Sequence, residues 1–225
     1  MSASSKPGKD NFTRYLVIGV VVLVVGIMLV PTVLSKTKSV SQVIPSTVSA
    51  ADGYAVVFNS EVKNVSVVDI YEDFQCPICQ QFAGLNGKYI SSLVTDKKAT
   101  VKFHILSFIG PESVRAANAS ACANDEGKFV DFHNALYANQ PTSENSGTWT
   151  SDRLIAIAGA VGIKSDSFNT CVKDMKYEGW VGKVAEAGSK AGVNSTPTVF
   201  VGGKEIDRNT EYFSADKFKA AVERG

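Results

Sequence analysis

The strongest chemical signal in this chain is Cys76-Pro77-Ile78-Cys79. Two cysteines at this spacing can form a reversible disulfide if one is a thiolate near neutral pH and the other can resolve a mixed disulfide. A helix start meets both needs, because its free backbone N–H groups and dipole stabilise S⁻ and lower the thiol pKa. Pro77 suits the first helical position, where its missing N–H costs nothing. The same spacing also supplies half of a zinc site, with Cys122 and Cys171 as the other half. Zinc ligands usually come as two close pairs, whereas Cys122 and Cys171 are single and far apart, and neither His104 nor His133 stands at a ligand spacing from a cysteine. An inert structural disulfide is the remaining alternative. Nothing in the motif calls for a metal or a cofactor.

The elements around the motif must place it at a strand–helix turn. Val65 to Tyr71 is β-branched and apolar, the profile of a strand covered on both faces, and Gly53 to Phe58 offers a preceding strand. A helix is expected after the cysteines, with Ile78, Phe82, Leu85, Tyr89 and Leu93 on its buried face and Gly84 and Gly87 weakening it. Thr100 to Leu106 reads as the next strand, followed by a helical block over about 111–175 and a helix over Trp180 to Ala191. Thr198 to Ile206 reads as a hairpin turning at Gly202-Gly203, and Ser214 as the cap of a last helix, with Phe213 and Phe218 as its hydrophobic staple. Strand, helix, strand, helical block, helix, hairpin and helix make an α/β fold with a mixed four- or five-stranded sheet.

The segment Tyr71-Glu72-Asp73-Phe74-Gln75-Cys76-Pro77-Ile78-Cys79 resembles the active site of the DsbA-like thiol–disulfide oxidoreductases of the thioredoxin superfamily. Asn194 to Gly203 is similar to that family's cis-proline loop and hairpin. Gly127-Lys128-Phe129 and Phe132 to Pro141 resemble part of its helical insertion. The resemblance covers residues 53–225 in order. It implies a thioredoxin-like mixed sheet with an inserted helical subdomain, Cys76 as the exposed attacking thiol, Cys79 as the buried resolving thiol, and Pro197 cis and facing them. Thr196 would then offer its backbone to an extended substrate. The strongest oxidants of this family carry a histidine between the cysteines, a charge that Ile78 cannot supply. Many thioredoxin-like proteins also keep a buried acid six residues before the first cysteine, where this chain has Ile70. Glu72, on the same strand face as Ile70, is the candidate proton shuttle, with a solvated acid at the strand end as the alternative reading; Asp69 points the other way.

Cys122 and Cys171 flank the helical block, and in an oxidising compartment they should pair as a structural staple; a second redox pair or two buried thiols are the alternatives. His104 and His133 are read as structural, and Phe74 and Phe108 as core or as the rim of a substrate groove.

Residues 15–34 are an uncharged run rich in Val, Leu and Ile, about the length a helix needs to cross roughly 30 Å of hydrocarbon. A cleaved signal peptide has a shorter apolar stretch with a small-residue site close behind it. The run therefore reads as a transmembrane helix between a cytoplasmic tail (1–14) and a linker (35–50), with the thioredoxin-like domain at 51–225. Lys6, Lys9 and Arg14 against Lys36 and Lys38 orient that domain outside the cytoplasm, as a single-pass protein of the cell membrane. A net charge of +1, from 23 basic and 22 acidic residues, gives no footprint for nucleic acid. Three functions fit this reading: a dithiol oxidase of reduced or unfolded secreted proteins, reoxidised by a membrane redox partner; a reductase or isomerase using the same cysteines; or a non-catalytic binding or chaperone module on this fold. The intact motif and the proline loop favour catalysis.

Overall fold

The computed structural model describes residues 42–225. The tail 1–14, the span 15–34 and the linker up to residue 41 lie outside the described residues. Among the described residues no helix is long and apolar enough to cross a membrane.

Five strands form one mixed sheet: β1 (Val56–Phe58), β2 (Ser66–Glu72), β3 (Ala99–Ile105), β4 (Thr198–Val201) and β5 (Lys204–Glu205), in the order β1-β3-β2-β4-β5. β2 and β3 run parallel, from Ser66 opposite Ala99 to Glu72 opposite Ile105. A parallel pair needs a long crossover, and α1 (Pro77–Thr95) supplies it. The other pairings are antiparallel. β2 lies mid-sheet, and Val68 and Ile70 are buried with Val101, Phe103 and Ile105 of β3. Gly202 and Gly203 both take positive φ, 58° and 78°, which the tight turn between β4 and β5 requires.

Four helices fill the block after β3: α2 (Pro111–Asp125), α3 (Phe129–Ala138), α4 (Ser151–Ala160) and α5 (Asp166–Lys173). α6 (Glu178–Lys190) and α7 (Ala215–Arg224) follow. α1 and α3 cover the sheet face that carries Ile70, Glu72 and Phe103. Phe103 packs on Phe129 and His133 of α3, and Phe82 of α1 packs on Phe218 of α7. α6 covers the opposite face, where Gly188 lies so close that a Cβ there would meet Leu106 at 3.1 Å and Tyr71 at 3.7 Å. Small residues make α2 a central helix: Ala116, Ala117, Ala119, Ala121 and Ala123 are all buried, as is Ser120.

Two expectations need correction. The buried face of α1 consists of Cys79, Phe82, Asn86, Gly87, Ile90 and Leu93, while Ile78 and Leu85 are each 45 % exposed. Cys79 must face inward, and that rotates the buried stripe onto Asn86, whose Nδ2 donates to the Tyr212 carbonyl at 2.8 Å. Ser214 stands at the N-cap of α7, but its hydroxyl makes no capping bond there.

Candidate active site

Cys76 is itself the N-cap of α1, with extended backbone (φ −69°, ψ 118°), and Pro77 follows in the first turn. The Cys79 backbone N–H donates to Cys76 Sγ at 3.4 Å, so the sulfur occupies the place where a serine or aspartate oxygen commonly caps a helix. Both cysteines are free thiols. Hydrogen bonding from the Cys79 thiol acts against burial to bring the Cys76 pKa from 9.0 to about 6; Thr196 and the N–H groups of Cys79 and Ile78 add to the lowering. Cys79 moves the other way. It is fully buried, and burial, then the hydrogen bond with Cys76 and the charges of Cys76 and Glu72, push it well above its ordinary value. At neutral pH the dithiol therefore carries one thiolate, on Cys76. Cys76 is 7 % exposed, less open than the resemblance implies.

The Thr196–Pro197 bond is cis. β4 begins at Thr198, opposite Tyr71 on β2, so the residues just before it continue toward the cysteines. The Cys76 thiol donates to the Thr196 carbonyl at 3.6 Å, a bond that only the protonated sulfur can make. Arg208 steadies the loop from behind, donating to Ser195 Oγ at 2.7 Å and to Thr198 Oγ1 at 3.2 Å.

A buried scaffold under the turn holds the cysteine loop, and nothing in the local sequence announces it. Asp73 accepts from Ser113 Oγ at 2.6 Å, from Gln75 N–H at 2.9 Å and from Ile109 N–H at 3.2 Å. Burial still pushes its carboxyl above the usual range. Gln140, just after α3, donates to the carbonyls of Phe74 (2.7 Å) and Cys76 (3.0 Å), and Tyr137 donates its hydroxyl to the Asp73 carbonyl at 3.3 Å. Phe74 is buried core, while Phe108, in the loop tied down by Asp73, is among the exposed aromatics.

Glu72 is not a solvated acid: it is 1 % exposed, and His133 Nε2 lies 2.6 Å from its Oε1. His133, read as structural with no partner pattern visible in sequence, has Glu72 as its partner across the fold. Burial alone would lower the His133 pKa, but the Glu72 charge and hydrogen bond outweigh it, and the result is a raised value. His104 finds Asp69 at 3.0 Å on the opposite sheet face, stacked on Tyr71. Cys122 of α2 and Cys171 of α5 are bonded to each other. That bond removes them as partners for a four-cysteine zinc site with Cys76 and Cys79.

The thioredoxin family model matches residues 61–224 of this chain. Serine/threonine-protein kinase PknE of Mycobacterium tuberculosis is 29% identical over 149 residues, 60% of this chain and 26% of PknE, so the chain spans about a quarter of that relative's length. Disulfide bond formation protein D of Bacillus subtilis is 28% identical over 168 residues, covering 71% of this chain and 72% of that protein. Among solved structures, the thiol-disulfide oxidoreductase MdbA of Actinomyces oris is 27% identical, with a TM-score of 0.70, covering 85% of this chain and 97% of MdbA.

Proposed function

We propose that this chain, which belongs to the thioredoxin family, is a DsbA-type thiol–disulfide oxidoreductase that oxidises the dithiols of secreted proteins through Cys76 and Cys79. The observation that carries this reading is the pair of opposed thiols at one helix start: Cys76 brought to about pKa 6, and Cys79 buried and pushed up. The names of the MdbA and disulfide bond formation relatives support the same chemistry.

In the oxidising direction a client thiolate attacks Cys76 Sγ. The Cys76–Cys79 bond breaks, and Cys79 leaves as a thiolate that takes up a proton. A second client thiolate then attacks the client sulfur of the mixed disulfide, and Cys76 leaves as a thiolate. The client gains a disulfide and loses two electrons, which the enzyme's dithiol now holds. A membrane redox partner must remove them to restore the Cys76–Cys79 bond. In this reading Thr196 pairs its backbone with an extended client segment beside Pro197, Glu72 serves the proton of Cys79, and the exposed Ile78 and Phe108 give the client apolar contact. The run at 15–34 anchors the protein in the cell membrane, tail inside and catalytic domain outside.

Oxidation is tested by incubating the oxidised protein with reduced, unfolded ribonuclease, beside an insulin-reduction assay with the dithiol form. Regained ribonuclease activity, stoichiometric with enzyme disulfide, is the expected result. Rapid insulin reduction without ribonuclease oxidation would make the protein a reductase. A folded protein inactive in both assays would favour a binding module, a reading suggested by relatives such as PknE that carry the matching region as a minor part of a longer chain.

The opposed thiols also predict a pH signature. The Cys76 pKa is depressed on folding of the reduced protein, so the stability it contributes is present at alkaline pH and is lost as pH falls through about 6. The oxidised protein has no such dependence, which makes thiolate stabilisation a driving force for reduction. Below pH 6 two protons accompany two electrons, and above it only one does, because Cys79 keeps its proton. The potential on the hydrogen-electrode scale, obtained by equilibration with glutathione at each pH, should therefore fall by about 59 mV per pH unit below the break and about 30 mV above it. A single slope across pH 5–8 would contradict the assignment of the thiolate to Cys76.

A further inference from the structure

If the chain is an oxidoreductase, the buried Cys79 sulfur must gain a proton when it leaves and lose one when it attacks, in a site that excludes water. Two buried carboxyl groups lie near it. Asp73 has its oxygens committed to Ser113, Gln75 and Ile109. Glu72 has a titratable partner instead, His133, whose own hydrogen-bond partner Asn134 lines an open groove.

Two hydrogen bonds hold the His133 ring, one at each nitrogen. Asn134 turns its amide nitrogen to Ser91 Oγ at 3.0 Å and its amide oxygen to His133 Nδ1 at 3.1 Å. The amide oxygen accepts from Nδ1 in the tautomer that carries a hydrogen there. The other ring nitrogen, Nε2, lies 2.6 Å from Glu72 Oε1, and that bond must also contain a proton, on the nitrogen or on the oxygen. Whichever atom holds it, the bond between Glu72 and His133 contains one shared proton. His133 is 3 % exposed, and apart from Glu72 only Tyr137 among the rings around it titrates; Phe74, Phe103 and Phe129 make up the rest. On the side of Glu72 its charge acts on Cys79 and on Tyr137, which also feel Cys76 and Asp73. His133 adjoins Asn134, which with Ser91, Gly87 and Tyr137 lines a groove of about 520 Å³ between α1 and α3.

We propose that His133 is a proton relay that loads and empties Glu72 from the α1–α3 groove, so that the pair exchanges one proton with Cys79. This rests on the oxidoreductase reading above. When Cys79 leaves as a thiolate, the shared proton moves from His133 Nε2 through the Glu72 carboxyl to Cys79 Sγ, and the groove resupplies His133. When Cys79 attacks a mixed disulfide at Cys76, the emptied pair takes the Cys79 proton, the new Cys76–Cys79 bond forms and the client sulfur departs with its electron pair. His133 touches no reacting sulfur and acts through Glu72.

The test is single-turnover release. The reduced full-length protein reacts with a peptide carrying one activated cysteine disulfide, and release of the peptide thiol from Cys76 is timed from pH 5 to 9. The native rate should rise with pH and level off once the pair is empty. His133→Asn keeps a hydrogen-bonding side chain that cannot titrate. It should slow release roughly 100-fold at pH 7 and climb through pH 9 without a plateau, with Cys76 alkylation still titrating near 6. Native rates and a native plateau in His133→Asn would overturn the relay while leaving the oxidoreductase intact. If the native protein formed no mixed disulfide at Cys76, the oxidoreductase reading would fall instead. Should the variant not fold, ¹⁵N NMR of the unaltered protein decides. The His133 ring should titrate at higher pH in the reduced protein than in the oxidised one. Equal midpoints would overturn the proposal.

Discussion

Cys76→Ser is expected to bring thiol exchange down to background, whereas Cys79→Ser should accumulate client proteins covalently linked to Cys76. The asymmetry follows from the two environments. Cys76 Sγ sits at the N-cap of α1 and is the thiolate at neutral pH, so a hydroxyl in its place removes the nucleophile, and nothing else at the helix start replaces it. Cys79 is buried behind it and in the proposed reaction would resolve the mixed disulfide, so its loss should leave the first bond intact. Serine is the informative replacement at 79. The Cys79 thiol is the largest influence lowering the Cys76 pKa, and a hydroxyl there retains a donor toward Cys76, as does the backbone N–H of residue 79. Cys79→Ala loses the side-chain donor and should raise the Cys76 titration, read from thiolate absorbance against pH, further than Cys79→Ser does. Non-reducing gels of cells expressing each variant give the trapping result. Adducts with Cys76→Ser and none with Cys79→Ser would reverse the two roles.

The chemistry of this site is legible in sequence where it is local. Four consecutive residues carry the thiols and the proline of the first helical turn, and the β-branched run before them places the motif at a strand end. Thr198 to Val201 and the two glycines after it mark the strand that brings Pro197 alongside. What escapes a linear reading depends on contacts between distant segments. Glu72 and His133 lie 61 residues apart, and no helical or strand period links them. Gln140 and Ser113, which hold the cysteine loop, are likewise ordinary surface types until the fold delivers them beneath it. The buried face of α1 misleads for a different reason. Periodicity counts apolar residues, but the inward stripe includes Asn86 and Gly87, while Ile78 and Leu85 are left on the open side near the site where a client would dock. α2 is the extreme case, since its composition of Ala, Ser and Asn looks like a surface and it is nonetheless buried on nearly every side.

One covalent bond joins α2 to α5 within the helical block. Cys122 is on a helix of small residues, and the bond to Cys171 closes a loop of sequence separation 49. Removing it by Cys122→Ala with Cys171→Ala frees that loop in the unfolded chain, at a cost of roughly 4 kcal/mol on the chain-entropy estimate. For a domain of this size each kcal/mol lowers the melting temperature by about 2–4 °C, so a fall of roughly 8–16 °C is expected. Both sulfurs are nearly enclosed, and Asn118 donates to the Cys171 carbonyl at 3.5 Å, so local packing should hold α5 in place once the domain is folded. Single-turnover oxidation by the double variant, measured at 25 °C where it stays folded, should therefore match that of the unaltered protein. That comparison separates a staple from a second redox pair. A relay through Cys122–Cys171 would instead cut turnover with the membrane partner. Non-reducing peptide mapping of the oxidised protein fixes the premise of both measurements, with Cys122–Cys171 and Cys76–Cys79 as the only two linkages. A Cys76–Cys122 linkage would contradict the staple and the active-site geometry together.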